Sequence, residues 1–284
     1  MTIIEAWKLY ERDKKYEKYS PHTLKSYKLQ ATLLARELGD CETGDVSYQQ
    51  LKEYLYKQDH LKSSSISHRV RFIKSFFRWS VDEGHNRINP AARLKEPKLE
   101  QRVPKFLTEE DVETLRANCE APREHAIIEF MYTTGCRIGE IVQVDVSDID
   151  WDNNSLIVHG KGSKEREVYF NTKCRIWLKK YLETRADNES ALFVTKRKYD
   201  GKPNRLSISQ MRDILKEVAK RAGIDANVYP HAMRHSYATH LLNNGAPMEA
   251  IRQLLGHQKQ ESTEIYAHLS GQRRKEIYKR FFNT

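Results

Sequence analysis

Along the first hundred residues, apolar positions return every three or four residues, and that spacing predicts helices only. Ser20-Pro21-His22-Thr23 offers an N-cap followed by a proline at the first helical position, opening a helix through about Leu38, where Gly39 supplies the stop. Ser47 opens a second helix through Gln58. Ser63 to Ser65 precede a third, marked by Val70, Ile73, Phe76, Phe77 and Val81 at helical spacing. Gly84 and then Asn89-Pro90 close that segment. The economical expectation is a bundle of about four helices with Trp7, Tyr10, Phe72, Phe76 and Trp79 in its core.

The pattern then lapses. Residues 96–105, EPKLEQRVPK, hold two prolines among charges without apolar periodicity, so they read as a stiffened linker between a domain at 1–95 and a second at 106–284. Thr108-Glu109-Glu110-Asp111 starts a new helix with acidic residues where the helix dipole favours them. A helix over Glu124–Thr133 ends near Gly135. From Ile149 to Phe170 the period becomes two, carried by Leu156, Val158, Val168 and Phe170, with turns at Asn153-Asn154 and Gly160-Lys161-Gly162. Helices return at 172–184, 207–222, 231–243, 247–255 and 271–282. The expected fold class is an N-terminal all-α helical bundle plus a mixed α+β, mainly helical domain with a small antiparallel sheet. The sequence contains no internal repeat and no low-complexity tract.

Charge adds a partner class. Lys and Arg number 49 against 39 Asp and Glu, a net +10 over 284 residues, which points to a polyanion. In the helical domain Lys25, Lys28, Arg69, Arg71 and Lys74, together with Lys62 and Arg78, are candidates for a groove-facing surface; an ordinary solvated face is the plain alternative. No apolar run approaches the roughly 18 residues of a membrane span, and the first residues do not read as a secretory signal. The four cysteines are far apart and form no CxxC pair, which suits neither a disulfide scaffold nor a zinc knuckle. A reducing cytoplasm is the expected compartment, with no membrane partner.

The candidate chemistry lies in the second half. His231 and Arg234 are three residues apart at the start of a helix, so they share a face and can reach one phosphate. Arg137, just past Gly135, could grip phosphate oxygens bidentately, or could simply pair with Glu140. Lys161 stands between two glycines at a hairpin tip. His257 ends an amphipathic helix, and Tyr266, one of fifteen tyrosines, follows nine residues later. Two arginines, two histidines and a lysine beside a tyrosine suit metal-free attack on a phosphodiester. The HExxH pattern is absent, so neither a metal nor any other cofactor is expected. Taken singly, each of these residues also has an ordinary structural reading.

Taken in order, the strings TTGCRIGE, GKGSKEREV, HAMRHSYATHL and LLGHQKQESTEIYAHL resemble the tyrosine recombinase (phage integrase) family, including its Xer-type members, over essentially the whole chain. The resemblance implies a SAM-like core-binding domain, a linker and a catalytic domain that together clamp double-stranded DNA. It implies Arg137 as the first catalytic arginine, Lys161 as the hairpin lysine and general acid, and His231 and Arg234 as the HxxR pair. It makes His257 the second histidine, Tyr266 the nucleophile, and Glu140 an orienting carboxylate. A 3′-phosphotyrosyl intermediate, a tetramer on two DNA sites and accessory DNA-binding proteins go with it. Xer-like chromosome dimer, cointegrate or mobile-element recombination is the expected role. Type IB topoisomerase-like relaxation and a non-catalytic DNA-binding protein are the alternatives, with a metal-dependent nuclease a third. The helix from Gln272, with Ile277, Tyr278, Phe281 and Phe282, is expected to bury in a neighbouring protomer, with packing on its own domain the alternative. Gly139 stands where many relatives have serine, and Gln258-Lys259-Gln260-Glu261 replaces commoner small polar residues, a change expected to affect how the tyrosine segment moves.

Overall fold

In a computed structural model, residues 1–98, 106–160, 165–196, 203–224 and 228–256 are described, and the chain divides into two compact units, Met1–Gln101 and Arg102–Thr284. Most of the expected linker, the hairpin tip beyond Gly160 and the helix at 271–282 lie outside the described residues. No described helix is long and apolar enough to cross a membrane.

The first unit contains α1 (Ile3–Tyr16), α2 (Pro21–Leu38), α3 (Tyr48–Tyr56) and α4 (Ser63–Asp82). Three of them start where a side chain satisfies an otherwise orphaned backbone N–H. Thr2 and Glu5 form a capping box on α1, Ser20 accepts from the Thr23 amide at 3.1 Å on α2, and Ser47 with Gln50 caps α3. α3 stops at Tyr56, two residues short of the expected Gln58, because the chain turns at once toward α4. α4 starts without a side-chain cap at Lys62, so Ser63, Ser64 and Ser65 form its first turn instead of preceding it. Trp7, Tyr10, Phe72, Phe76 and Trp79 are all buried. Tyr10 meets Phe76 edge-on at 5.6 Å between centroids, and Phe76 stacks on Phe72 at 5.6 Å. Aromatic pairs in such geometries add roughly 0.5–1.5 kcal/mol each beyond area burial. The Tyr10 hydroxyl, carried into this core, is matched by Ser75 at 2.7 Å.

The second unit is built around α6 (Pro122–Thr134), preceded by α5 (Glu109–Ala117), whose Thr108/Asp111 capping box is the one its sequence predicts. Ala126, Ile127, Ile128, Glu129, Phe130 and Met131 are buried in succession, so α6 is enclosed on every side. Its one deeply buried charge, Glu129, is paired by the Arg116 guanidinium at 2.7 Å. α8 (Thr172–Glu183), α9 (Ile208–Arg221) and α10 (Pro230–Asn243) pack on it, and α11 (Met248–Leu255) packs on α10. β1 (Ser155–His159) and β2 (Glu165–Tyr169) form an antiparallel pair with Leu156 opposite Val168 and Val158 opposite Arg166. α6 begins at Pro122, two residues before the expected Glu124, since proline at the first position costs no hydrogen bond. A four-residue helix, α7 (Ile138–Ile141), was not expected; it is too short to show a period.

Candidate active site

α6 ends at Gly135, whose φ of +58° is a left-handed conformation that side chains other than glycine adopt at a cost. A Cβ there would lie 2.4 Å from Cδ1 of Tyr237 on α10, so the end of α6 meets the α10 ring without room for a methyl group. The turn delivers Arg137 to the start of α7. Its backbone N–H donates to Glu140 Oε2 at 2.8 Å, and its Nη1 donates to Glu140 Oε1 at 2.8 Å. The Arg137–Glu140 pair therefore forms, but it is not a surface pair. The Glu140 side chain is 5% exposed, and the same carboxylate accepts two further bonds from Arg166 of β2, Nη1 to Oε1 at 2.9 Å and Nη2 to Oε2 at 2.7 Å. Burial alone would raise the Glu140 pKa. The bonds from Arg166 and from the Arg137 amide and guanidinium outweigh it and hold the carboxyl down to about 2.

α10 brings the second pair. Arg234 is buried, donating from Nη1 to Gly135 O at 2.6 Å and from Nη2 to Leu255 O at 2.6 Å. His231 lies one turn earlier on the exposed side. Partial desolvation lowers its pKa, and the guanidiniums of Arg234, Arg137 and Arg212 lower it further, so its ring is neutral near pH 7 and can accept a proton. Next along the helix, His235 is pushed down to about 4, by desolvation first.

The two arginine clusters meet at the C-terminus of α11. Three successive carbonyls there accept from three different arginines: Leu254 O from Arg166 Nε at 3.0 Å, Leu255 O from Arg234, and Gly256 O from Arg137 Nη2 at 3.3 Å. A helix C-terminus carries unpaired carbonyls and partial negative charge, so cations are favoured there. Gly256 closes α11 with φ of +62°, and a Cβ on it would come within 2.9 Å of Arg166 Cδ. Arg137 spends two of a guanidinium's five N–H donors on the Glu140 carboxylate and Gly256 O, which leaves it able to take an anion. Chemically, this is a cationic platform with a neutral imidazole beside it.

Comparison with known proteins gives the platform its context. The family model described as "Phage integrase family" matches residues 105–273. Tyrosine recombinase XerC of Staphylococcus aureus (strain USA300 / TCH1516) is 33% identical over 273 residues, covering 92% of this chain and 90% of that protein. The chain is a tyrosine recombinase of the phage integrase family. That decides for the site-specific recombinase over the topoisomerase-like and non-catalytic alternatives. Solved structures share the fold. One is the Tn1549 transposon integrase in complex with a circular intermediate DNA, with TM-score 0.75 and 19% identity, covering 94% of this chain and 95% of that one. Another is XerH bound to a palindromic difH substrate, with TM-score 0.75 and 18% identity, covering 95% and 83%. A lambda integrase dimer bound to a COC′ core site has TM-score 0.77 and 18% identity, covering 94% and 77%.

Of this recombinase's sequence-predicted site, Arg137, Glu140, His231 and Arg234 are thus brought together, whereas Lys161, His257 and Tyr266 lie outside the described residues. Gly256 immediately precedes His257, and Gly160, just past the end of β1, immediately precedes Lys161. The residue that sequence reasoning missed is Arg166. A signal was there: strand alternation places it on the same side of β2 as buried Val168, and a charged residue facing inward requires a partner.

The helical unit's DNA-binding candidates divide into two groups. Arg69 Nη1 donates to Tyr54 Oη at 2.5 Å, Arg71 Nε to Glu96 Oε2 at 2.8 Å, and Lys74 Nζ to Leu94 O at 3.1 Å. These three hold α4 to neighbouring parts of its own unit. Lys25 and Lys28 are exposed on α2 and, with Lys15 and Lys18, line an open cleft of about 540 Å³.

Proposed function

We propose that this recombinase cuts and rejoins double-stranded DNA through a 3′-phosphotyrosyl intermediate in an Xer-like reaction. The Tyr266 oxygen attacks the phosphorus, the bond to the 5′-oxygen breaks, and a 5′-hydroxyl on another strand later reverses the step. The phosphodiester is conserved, so no energy source is consumed. A phenol with a pKa near 10 needs a proton acceptor, and His231, held neutral, takes that role. Arg137, Arg234 and His257 stabilise the charge gathering on the phosphorane oxygens, and Lys161 protonates the departing 5′-oxygen. Glu140 orients Arg137. The observation that carries this reading is the meeting of Arg137 and Arg234 with neutral His231 where the chain leads into His257.

In the same reading, residues 1–95 are the core-binding domain, 96–105 the linker and 106–284 the catalytic domain. Lys18, Lys25 and Lys28 support phosphate contact by the first of these. Four protomers assemble on two core sites, with the helix from Gln272 joining protomers and accessory DNA-binding proteins as further partners. Free thiols at Cys41, Cys119, Cys136 and Cys174 are consistent with work in the reducing cytoplasm.

Covalent trapping tests the chemistry. Protein is mixed with nicked, labelled duplex bearing candidate core sites in the presence of EDTA and run on a denaturing gel beside Tyr266→Phe. An adduct in wild type only is expected. An adduct formed equally by Tyr266→Phe, or none from wild type on a validated site, would overturn the assignment.

A further inference from the structure

We propose that Arg166 is a positioning residue for the cleavage step, a role that rests on the assignment of Arg137 and Tyr266 above. Three of its bonds join two parts of the site. Two grip both oxygens of Glu140, at 2.9 and 2.7 Å, and the third holds Leu254 O at 3.0 Å. Its side chain is 11% exposed, so these bonds form in surroundings where solvent screens them little.

The consequence for Arg137 is electrostatic as well as geometric. Glu140 is ionised and lies against Arg137. Left to itself, a carboxylate and a guanidinium close into a bidentate pair that neutralises both. Arg166 occupies both Glu140 oxygens with the planar fork that favours this pairing, so Arg137 keeps only one guanidinium bond to that carboxylate, at 2.8 Å. Its charge therefore remains available to a phosphate. The same residue ties β2, the strand that follows Lys161 in the chain, to the end of α11, from which the chain leads to His257 and Tyr266. Gly256 permits the close approach, because any Cβ there would press on the Arg166 stem. Lysine at position 166 would preserve the charge and lose the fork.

Single-turnover cleavage of the nicked duplex by Arg166→Lys and Arg166→Gln tests this, with DNA affinity and the melting midpoint measured alongside. Both variants are expected to cleave about 10- to 100-fold more slowly, the range seen when a residue orienting another's functional group is lost. DNA affinity should stay within about threefold, because no phosphate contact is removed. Arg166→Gln combined with Glu140→Gln should be no slower than the worse single variant, since both act on Arg137 through one network. Replacing the bridging 5′-oxygen by sulfur, a leaving group that needs no protonation, should not restore the rate. A folded Arg166→Lys that cleaves within about twofold of wild type would overturn the proposal. So would multiplying losses in the double variant, or rescue by sulfur, which would place the effect at leaving-group protonation by Lys161. Wild type forming no adduct would instead fail the recombinase chemistry itself, and this proposal with it.

Discussion

Gly135→Ala isolates the junction on which the site is built. Two costs add there. The backbone φ of +58° penalises an L-residue by about 1–2 kcal/mol. The new methyl carbon would also lie 2.4 Å from Tyr237 Cδ1 and 2.7 Å from Cε1, against the roughly 3.5–4.0 Å of ordinary carbon contacts. Relieving that overlap requires a shift of about 1 Å between α6 and α10, and such overpacking costs about 1–3 kcal/mol. The expected total is about 2–5 kcal/mol, a large share of the roughly 5–15 kcal/mol that holds a domain folded. Gly223→Ala is the internal control: φ is +64°, but no atom lies within 4 Å of the added carbon, so only the backbone cost applies. Denaturant unfolding of both variants measures the difference directly. Gly135→Ala should also cleave DNA more slowly, because Gly135 O accepts from Arg234 at 2.6 Å and moves with the backbone. Equal destabilisation of the two variants would show that the α6 terminus and the Tyr237 ring do not meet as described.

Other groups in the two units set further expected outcomes. Glu140 has its carboxyl lowered from 4.5 to about 2, so its contribution to stability is complete above pH 4.5 and fades as pH falls toward 2; an acid titration of Glu140→Gln against wild type should show a stability difference that shrinks across that window. His231 has a lowered pKa and must be neutral to accept a proton, so the single-turnover rate should fall on acidification below that pKa. An acid limb unchanged in His231→Gln, measured on whatever slow cleavage remains, would assign the titration to another group. In the helical unit, Lys25→Gln and Lys28→Gln should each reduce the salt dependence of DNA binding by about one unit of slope.

Local signals made much of the architecture legible. Helix caps act within three or four residues, so Ser20, Ser47 and the Thr108/Asp111 box marked helix starts without knowledge of the fold. The change of period at Leu156 and Val158 marked the hairpin for the same reason, and ordered motif strings carried the family. Boundaries slipped where the deciding term was not a side chain: Lys62 caps α4 through its backbone alone, and α7 is too short to have a period.

Tertiary structure decided the rest. The bonds made by Arg137, Arg166 and Arg234 to three successive carbonyls span 119, 88 and 21 residues of chain. Nothing in local propensity sets such distances; they follow from how α6, α10, α11 and β2 pack. The same packing gave Glu140 two guanidinium partners where the sequence suggested one, and gave Arg69, Arg71 and Lys74 hydrogen-bond partners within their own unit. Sequence determined which residue types stand in which order and what elements they form. Which donor meets which acceptor was decided only once apolar burial had brought distant segments together, because a hydrogen bond exists within about 3 Å or not at all.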